Sequence, residues 1–231
     1  MSEQGYLDRV DAGRRLAQEL RGNLPDRADA LVLALPRGGL PVGYEVARDL
    51  ELPLDVLTVR KLGLPIQPEL AMGAIASGGL RVLNETVLRM ADVDETTLRE
   101  VESRERRELE RREKAYRGDR PVRTLEGRTV ILVDDGVATG STMLAAIRAV
   151  HTQRPRSVVV AVPVASPDVV GKLRAQADQV VCPLLPRDLV AIGVWYRDFP
   201  QLTDDEARAI LQRAWREEDL RSDSDERSGA G

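Results

Sequence analysis

The chain has 231 residues, 42% of them hydrophobic and 31% charged, with a formal net charge of −4. That length suits one substantial α/β domain with a modest appendage, not two full domains. The slightly acidic balance argues against a general nucleic-acid surface, and no apolar run is long enough to cross a bilayer. Met1–Gly5 leads into a charged amphipathic segment rather than the apolar core of a secretory leader, so a cytoplasmic protein is expected. Cys182 is the only cysteine and His151 the only histidine. An internal disulfide is therefore excluded, and a Cys/His metal site is not expected. Cys182 reads as core, and His151, at the end of a predicted helix, as a surface residue without a catalytic role.

Tyr6, Leu7, Val10, Leu16, Ala17 and Leu20 recur at helical spacing and predict a scaffold helix that stops near Gly22–Asn23. Ala30–Leu35 reads as a first buried strand, with Pro36-Arg37-Gly38-Gly39 as its loop and Pro41 opening a helix to about Leu50. Leu54–Val59 reads as a second strand closed by Arg60 and Lys61. From Leu62 to Gly79 the chain is rich in Gly and Pro, which predicts a mobile lid with no ordered helix before about Leu70–Met72. The segment 94–117 should be one long charged helix whose sparse apolar positions are Leu98, Val101, Leu109 and Tyr116.

On that helix Glu100, Glu102, Glu108, Glu110 and Glu113 each precede an Arg or Lys by one turn. Such a surface neutralises itself, which favours a solvated face over an RNA-binding arm. Packing against a second copy of the chain, and hence a homodimer, stays open. Val130–Val133, Ser157–Val162 and Gln179–Cys182 supply further strands around a helix near Asp168–Ala177, an alternation that implies a mostly parallel sheet. The tail 216–231 is charged, small and poor in apolar residues, which predicts disorder.

Chemistry concentrates after Val130–Val133, a run of four β-favouring apolar residues that reads as a strand buried on both faces. Asp134 and Asp135 then stand at the carboxyl edge of the sheet, where neighbouring acids can accept hydrogen bonds from a sugar diol. Two such acids repel each other and lose hydration, so a simple turn has no need of both. In the following turn Gly136 and Gly140 let backbone amides converge while Thr139, Ser141 and Thr142 add hydroxyls. A helix N-terminus behind that turn suits a phosphate dianion, and the ligand that needs both devices is a ribose 5-phosphate. No Lys precedes Ser141-Thr142 and no G-x-G-x-x-G spacing is present, so the Walker and dinucleotide readings fall away.

The run from Val130 to Thr142 resembles the phosphoribosyl pyrophosphate (PRPP) signature of type I phosphoribosyltransferases. The resemblance implies their α/β fold: a central, mostly parallel sheet flanked by helices, with a small hood, here 183–200, and 94–117 as a helical insertion. The domain would span 1–215. It further implies that Asp134 and Asp135 contact the ribose hydroxyls, and that Ala138, Thr139, Gly140, Ser141 and Thr142 hold the 5-phosphate. Arg37 with Gly38 and Gly39 would form the pyrophosphate loop, which Arg60 and Lys61 would reach from the second strand. Asp134, Asp135, Arg37 and Lys61 are then the catalytic candidates.

Leu35–Gly43, Arg60–Gly63, Pro68–Ala74 and Trp195–Phe199 are similar to a bacterial subgroup of phosphoribosyltransferases with an unassigned acceptor. Trp195 and Tyr196 fall late in the chain, where a ring can stack on a planar acceptor. The partners implied are PRPP and a small-molecule acceptor, with neither nucleic acid nor membrane, and Mg²⁺ held mainly through PRPP and water rather than by protein ligands. Family members acting on 6-oxopurines carry an Asp just before Thr-Gly of the loop, and here that position is Ala138. No general base stands out beyond a weak candidate, Glu69. The rival reading is a regulator that senses PRPP or a nucleotide without transferring it.

Overall fold

A computed structural model describes residues 5–24, 27–68 and 70–228. Helix α1 (Arg9–Asn23) is capped by Asp8, whose carboxylate accepts from the Asp11 amide at 2.8 Å. Strand β1 (Ala30–Ala34) is followed by α2 (Gly39–Leu50) and by β2 (Leu54–Val56). The chain then leaves the central sheet. Strands β3 (Val59–Gly63), β4 (Ala71–Ala76) and β5 (Leu80–Leu83) form a separate antiparallel sheet. Two helices follow it, α3 (Glu85–Met90) and α4 (Glu95–Arg117). The rest is β6 (Thr129–Val133), α5 (Ser141–His151), β7 (Ser157–Ala161), α6 (Pro167–Arg174), β8 (Gln179–Val181) and α7 (Asp204–Ser228). Among the described residues no helix is long and apolar enough to cross a membrane.

The central sheet is parallel throughout, in the order β2-β1-β6-β7-β8. Every residue of β1 and β6 is buried, because helices cover both faces. On one face Val32, Ala34, Ile131 and Val133 pack with Leu16 and Leu20 of α1, Leu40 of α2, and Leu211 and Trp215 of α7. On the other, Leu31, Leu33, Val130 and Leu132 meet Met143, Ile147 and Val150 of α5 and Leu173 of α6. Connections from β1 run to one side and those from β6 to the other, so the order reverses between these two strands. Ligands of open α/β sheets bind at that reversal, beyond the carboxyl ends of the strands.

Three expectations need correction. The stretch 62–79, expected to be a mobile lid, carries the end of β3 and all of β4, and its Leu62, Leu64, Met72 and Ile75 form a core with Val87, Leu98, Val101 and Leu109. Its alternation was masked by the glycines and prolines between the strands. For the same reason Arg60 and Lys61 lie inside β3 rather than closing the second strand. The tail expected to be disordered from 216 is helical as far as Ser228, and residues 229–231 fall outside the described residues. Its charges have fixed partners: Glu217 accepts from the Tyr44 hydroxyl at 2.8 Å, Glu218 pairs with Arg123 at 2.7 Å, and Asp219 pairs with Arg120 at 3.1 Å.

Helix α4 joins the two sheets. Leu98, Val101 and Leu109 enter the small core, while Tyr116 is buried in the central one and donates to Asp204 at 2.8 Å. Burial and that carboxylate push the Tyr116 hydroxyl up to about 12. Glu102–Arg106 and Glu108–Arg112 pair as the spacing predicts. Arg117 instead turns inward to Asp55 of β2 at 2.6 Å, with both side chains nearly fully buried. Removing one partner of a buried ion pair strands the other charge in the interior, at roughly 3–5 kcal/mol. Arg117→Met is therefore expected to lower unfolding stability by about that amount, read from urea titrations, whereas Arg99→Met on the exposed face should change it by less than about 0.5 kcal/mol.

Candidate active site

Two loops meet at the reversal between β1 and β6. The first, Pro36–Gly38, carries a cis peptide between Pro36 and Arg37. The second runs from Asp134 to Gly140 and enters α5. They touch at the acids. A Cβ placed on Gly38 would fall on the Asp135 carboxylate, and one on Gly39 would lie 2.6 Å from the Val133 carbonyl and 2.9 Å from the Asp134 Cα. Only glycine lets the first loop approach this closely.

Asp134 accepts from the amide of Asp135 at 2.8 Å. Burial, and then the negative charge of Asp135, hold its carboxyl well above the usual carboxylate range. Burial also raises Asp135, but Arg9 opposes the shift: its Nε donates to Asp135 Oδ2 at 2.8 Å. Arg9 lies on the first turn of α1, a helix whose sequence reads only as scaffold. An arginine at the start of an amphipathic helix carries no local signal of so distant a partner.

Beyond the acids, Ala138, Thr139, Ser141 and Thr142 are exposed, and Gly140 adopts φ 82° at the cap of α5. Thr139 Oγ1 accepts from the Ser141 amide at 3.4 Å. Among the described residues the amides of Ala138, Thr139 and Gly140 donate to no protein acceptor. Unsatisfied amides at the positive end of a helix dipole form a site for an anion. Lys61 faces this loop across two hollows. One, of about 570 Å³, also has Thr142 and Arg60 on its wall. The other, of about 190 Å³, has Ser141.

The remaining candidates divide. Arg37 is partly exposed and 3.9 Å from Asp204. Arg60 gives Nη2 and Nε to Glu105 of α4 at 2.5 and 2.9 Å while lining the larger hollow with Lys61. Tyr196 is buried, stacks on Phe199 at 4.7 Å and donates to the Asp135 carbonyl at 2.5 Å. A ring so covered offers no face to an acceptor, which corrects its expected stacking role. Trp195 is half-buried and its carbonyl accepts from the Tyr6 amide at 2.7 Å. Ile192, also of 183–200, reaches the acid loop as well, 2.6 Å from where a Cβ on Gly136 would stand. Glu69 lies outside the described residues.

Strand order, the acid pair and the amide-lined turn define a doubly wound α/β protein with an anion loop at its topological switch point. The sequence profile of the phosphoribosyl transferase domain matches residues 69–196. A Mycobacterium tuberculosis protein provisionally named a phosphoribosyl transferase, found in strains CDC 1551 and H37Rv, is 48% identical over 212 residues, covering 92% of this chain and 47% of its own length. The chain thus spans about half the length of these curated relatives. A crystal structure from Thermus thermophilus superposes with a TM-score of 0.83 at 47% identity, covering 90% of this chain and 97% of that one. The chain belongs to the phosphoribosyltransferase family, a family of pentosyltransferase enzymes.

Because the folded state holds the Asp134 proton more tightly than the unfolded chain does, this residue destabilises the fold progressively as pH rises above the ordinary carboxylate range. Asp134→Asn should therefore resist urea better than the wild type at about pH 7.5, with the difference shrinking toward about pH 4. Urea midpoints across that range provide the check.

Proposed function

We propose that this chain transfers the 5-phosphoribosyl group of PRPP to a nitrogen acceptor, a nucleobase or a related small amine, with release of pyrophosphate. The observation that carries the reading is the contact of Gly38 with Asp135, which sets the loop after β1, the acid pair and the amide-lined turn around one point. In this reading Asp134 and Asp135 accept from the ribose hydroxyls. The amides of Ala138–Gly140 and the hydroxyls of Ser141 and Thr142 hold the 5-phosphate at the N-terminus of α5.

Arg37 and Lys61, with the Gly38–Gly39 backbone, face the pyrophosphate. As the bond from the anomeric carbon to pyrophosphate breaks and the bond to nitrogen forms, positive charge gathers on the ribose and negative charge on the leaving group. Fixed cations and amides placed beforehand lower that barrier chiefly by position and charge. Among the described residues no cluster of three or more His, Cys, Asp or Glu could hold a metal. With Asp135 tied to Arg9, the donors fit Mg²⁺ carried on PRPP oxygens and water, where it would neutralise the departing pyrophosphate.

On this reading the transferase unit is 1–215, with 94–117 as an insertion and 183–200 as a hood. Its partners are PRPP and a small-molecule acceptor in the cytoplasm, and the exposed face of the charged helix is the surface on which a second copy would pack if the chain dimerises. The acceptor lies toward Ile192 and Trp195. With Ala138 in place of a carboxylate, the loop has no group to hydrogen-bond or deprotonate a purine N7.

PRPP with Mg²⁺ at a hundredfold excess over its Kd should stabilise the fold by about 2.7 kcal/mol in thermal unfolding. The double variant Asp134→Asn, Asp135→Asn should lose that response. A wild type indifferent to millimolar PRPP refutes the reading, and PRPP binding with no pyrophosphate release across a panel of nucleobases and amines favours the sensor instead. Arg37→Ala should weaken pyrophosphate binding while leaving ribose 5-phosphate affinity within about twofold, as calorimetry with each ligand would register. Hypoxanthine and guanine should be poor acceptors in a pyrophosphate-release assay.

A further inference from the structure

We propose that Arg9 is a positioning residue of this site: it pins the Asp135 carboxylate against Gly38 and so locks the loops after β1 and β6 into one receptor for the ribose. The inference rests on the PRPP reading above. Arg9 lies outside the stretch matched by the family profile, and the residue is only 9% exposed.

A buried guanidinium is costly unless its donors find acceptors, and here Nε and Nη1 both do. Nε donates to Asp135 Oδ2 at 2.8 Å, Nη1 donates to the Pro200 carbonyl at 2.8 Å, and the Phe199 ring lies 3.7 Å from Cζ. Phe199 in turn stacks on Tyr196, whose hydroxyl holds the Asp135 carbonyl at 2.5 Å. Asp135 is thus gripped by side chain and backbone from 195–200 and α1. The chain leading into α1 is itself tied to 195–200, since the amides of Arg197 and Asp198 donate to the Tyr6 and Leu7 carbonyls at 2.9 Å.

Oδ2 is therefore committed to Arg9, and a ribose hydroxyl would meet Asp135 at Oδ1 and meet Asp134 beside it. The groups facing the Asp135 carboxylate are Arg9 from α1, Asp134 next to it in sequence, Tyr196 from 195–200 and the uncharged backbone of Gly38. Arg9 is the cation among them. It opposes the proton uptake that burial would otherwise favour.

The test compares Arg9→Gln, Arg9→Lys and Phe199→Leu with the wild type. The readouts are PRPP affinity with Mg²⁺ by calorimetry from about pH 5.5 to 8.5, kcat and KM for PRPP, and the ¹³C titration of the Asp135 carboxyl in unliganded protein. Arg9→Gln should bind PRPP roughly tenfold or more weakly, raise KM more than it lowers kcat, and move the acid limb of binding to higher pH. Arg9→Lys should restore the limb and part of the affinity. Wild-type affinity with an unmoved limb in Arg9→Gln overturns the inference.

If Arg9→Gln fails to fold, the other two decide: Phe199→Leu frees the guanidinium without removing charge and should weaken PRPP binding, and unchanged affinity in both overturns the inference. A wild type that binds no PRPP sinks the functional reading alone. The Asp135 titration then still judges Arg9, supporting its grip if the carboxyl titrates higher in Arg9→Gln and refuting it if the curve is unmoved.

Discussion

Two adjacent carboxylates buried at the mouth of a parallel sheet set the terms for everything around them. Left to themselves, they would repel and take up protons, because burial removes the water that stabilises their charge. The fold answers with one cation, one carbonyl contact and two glycines. Arg9 meets the Asp135 carboxylate, Tyr196 meets its backbone, and Gly38 and Gly39 let a second loop lie directly on the pair. The two acids are consequently unlike. Asp135 has a counter-charge in contact, whereas Asp134 has an amide and a like-charged neighbour.

The rest of the chain is organised so that this cluster need not move. Helices on both faces bury β1 and β6 completely, which fixes where the loops begin. Helix α4 does more than carry charge: its N-terminal half completes the core of the small sheet, and its last turn plants Arg117 on Asp55 of β2. Lys61, on β3, shares two hollows with Ser141 and Thr142 of the first turn of α5.

Strands, helices and the acid-plus-glycine turn are local in origin, and the chain alone revealed them. Four β-branched or leucine residues before two Asp, and a glycine turn before an amphipathic run, have one economical structural reading. The β3–β5 sheet was less legible. Its strands are short, its register passes through glycines at 63 and 73, and the alternation has meaning only once α4 supplies a cover.

What the sequence by itself determined is the parallel sheet, the place of the acids at its edge and the glycine turn that enters α5, since each depends on residues a few positions apart. What only the tertiary structure decided is which partner every charge and ring takes. Arg60 turned to Glu105, Arg117 to Asp55 rather than to Glu113, Tyr196 into the core beneath Asp135, and Arg9 across 126 positions to Asp135. Long polar side chains are flexible and carry no periodic signal of direction. Their partners are set by whichever elements the hydrophobic cores bring alongside, and that is information no local window contains.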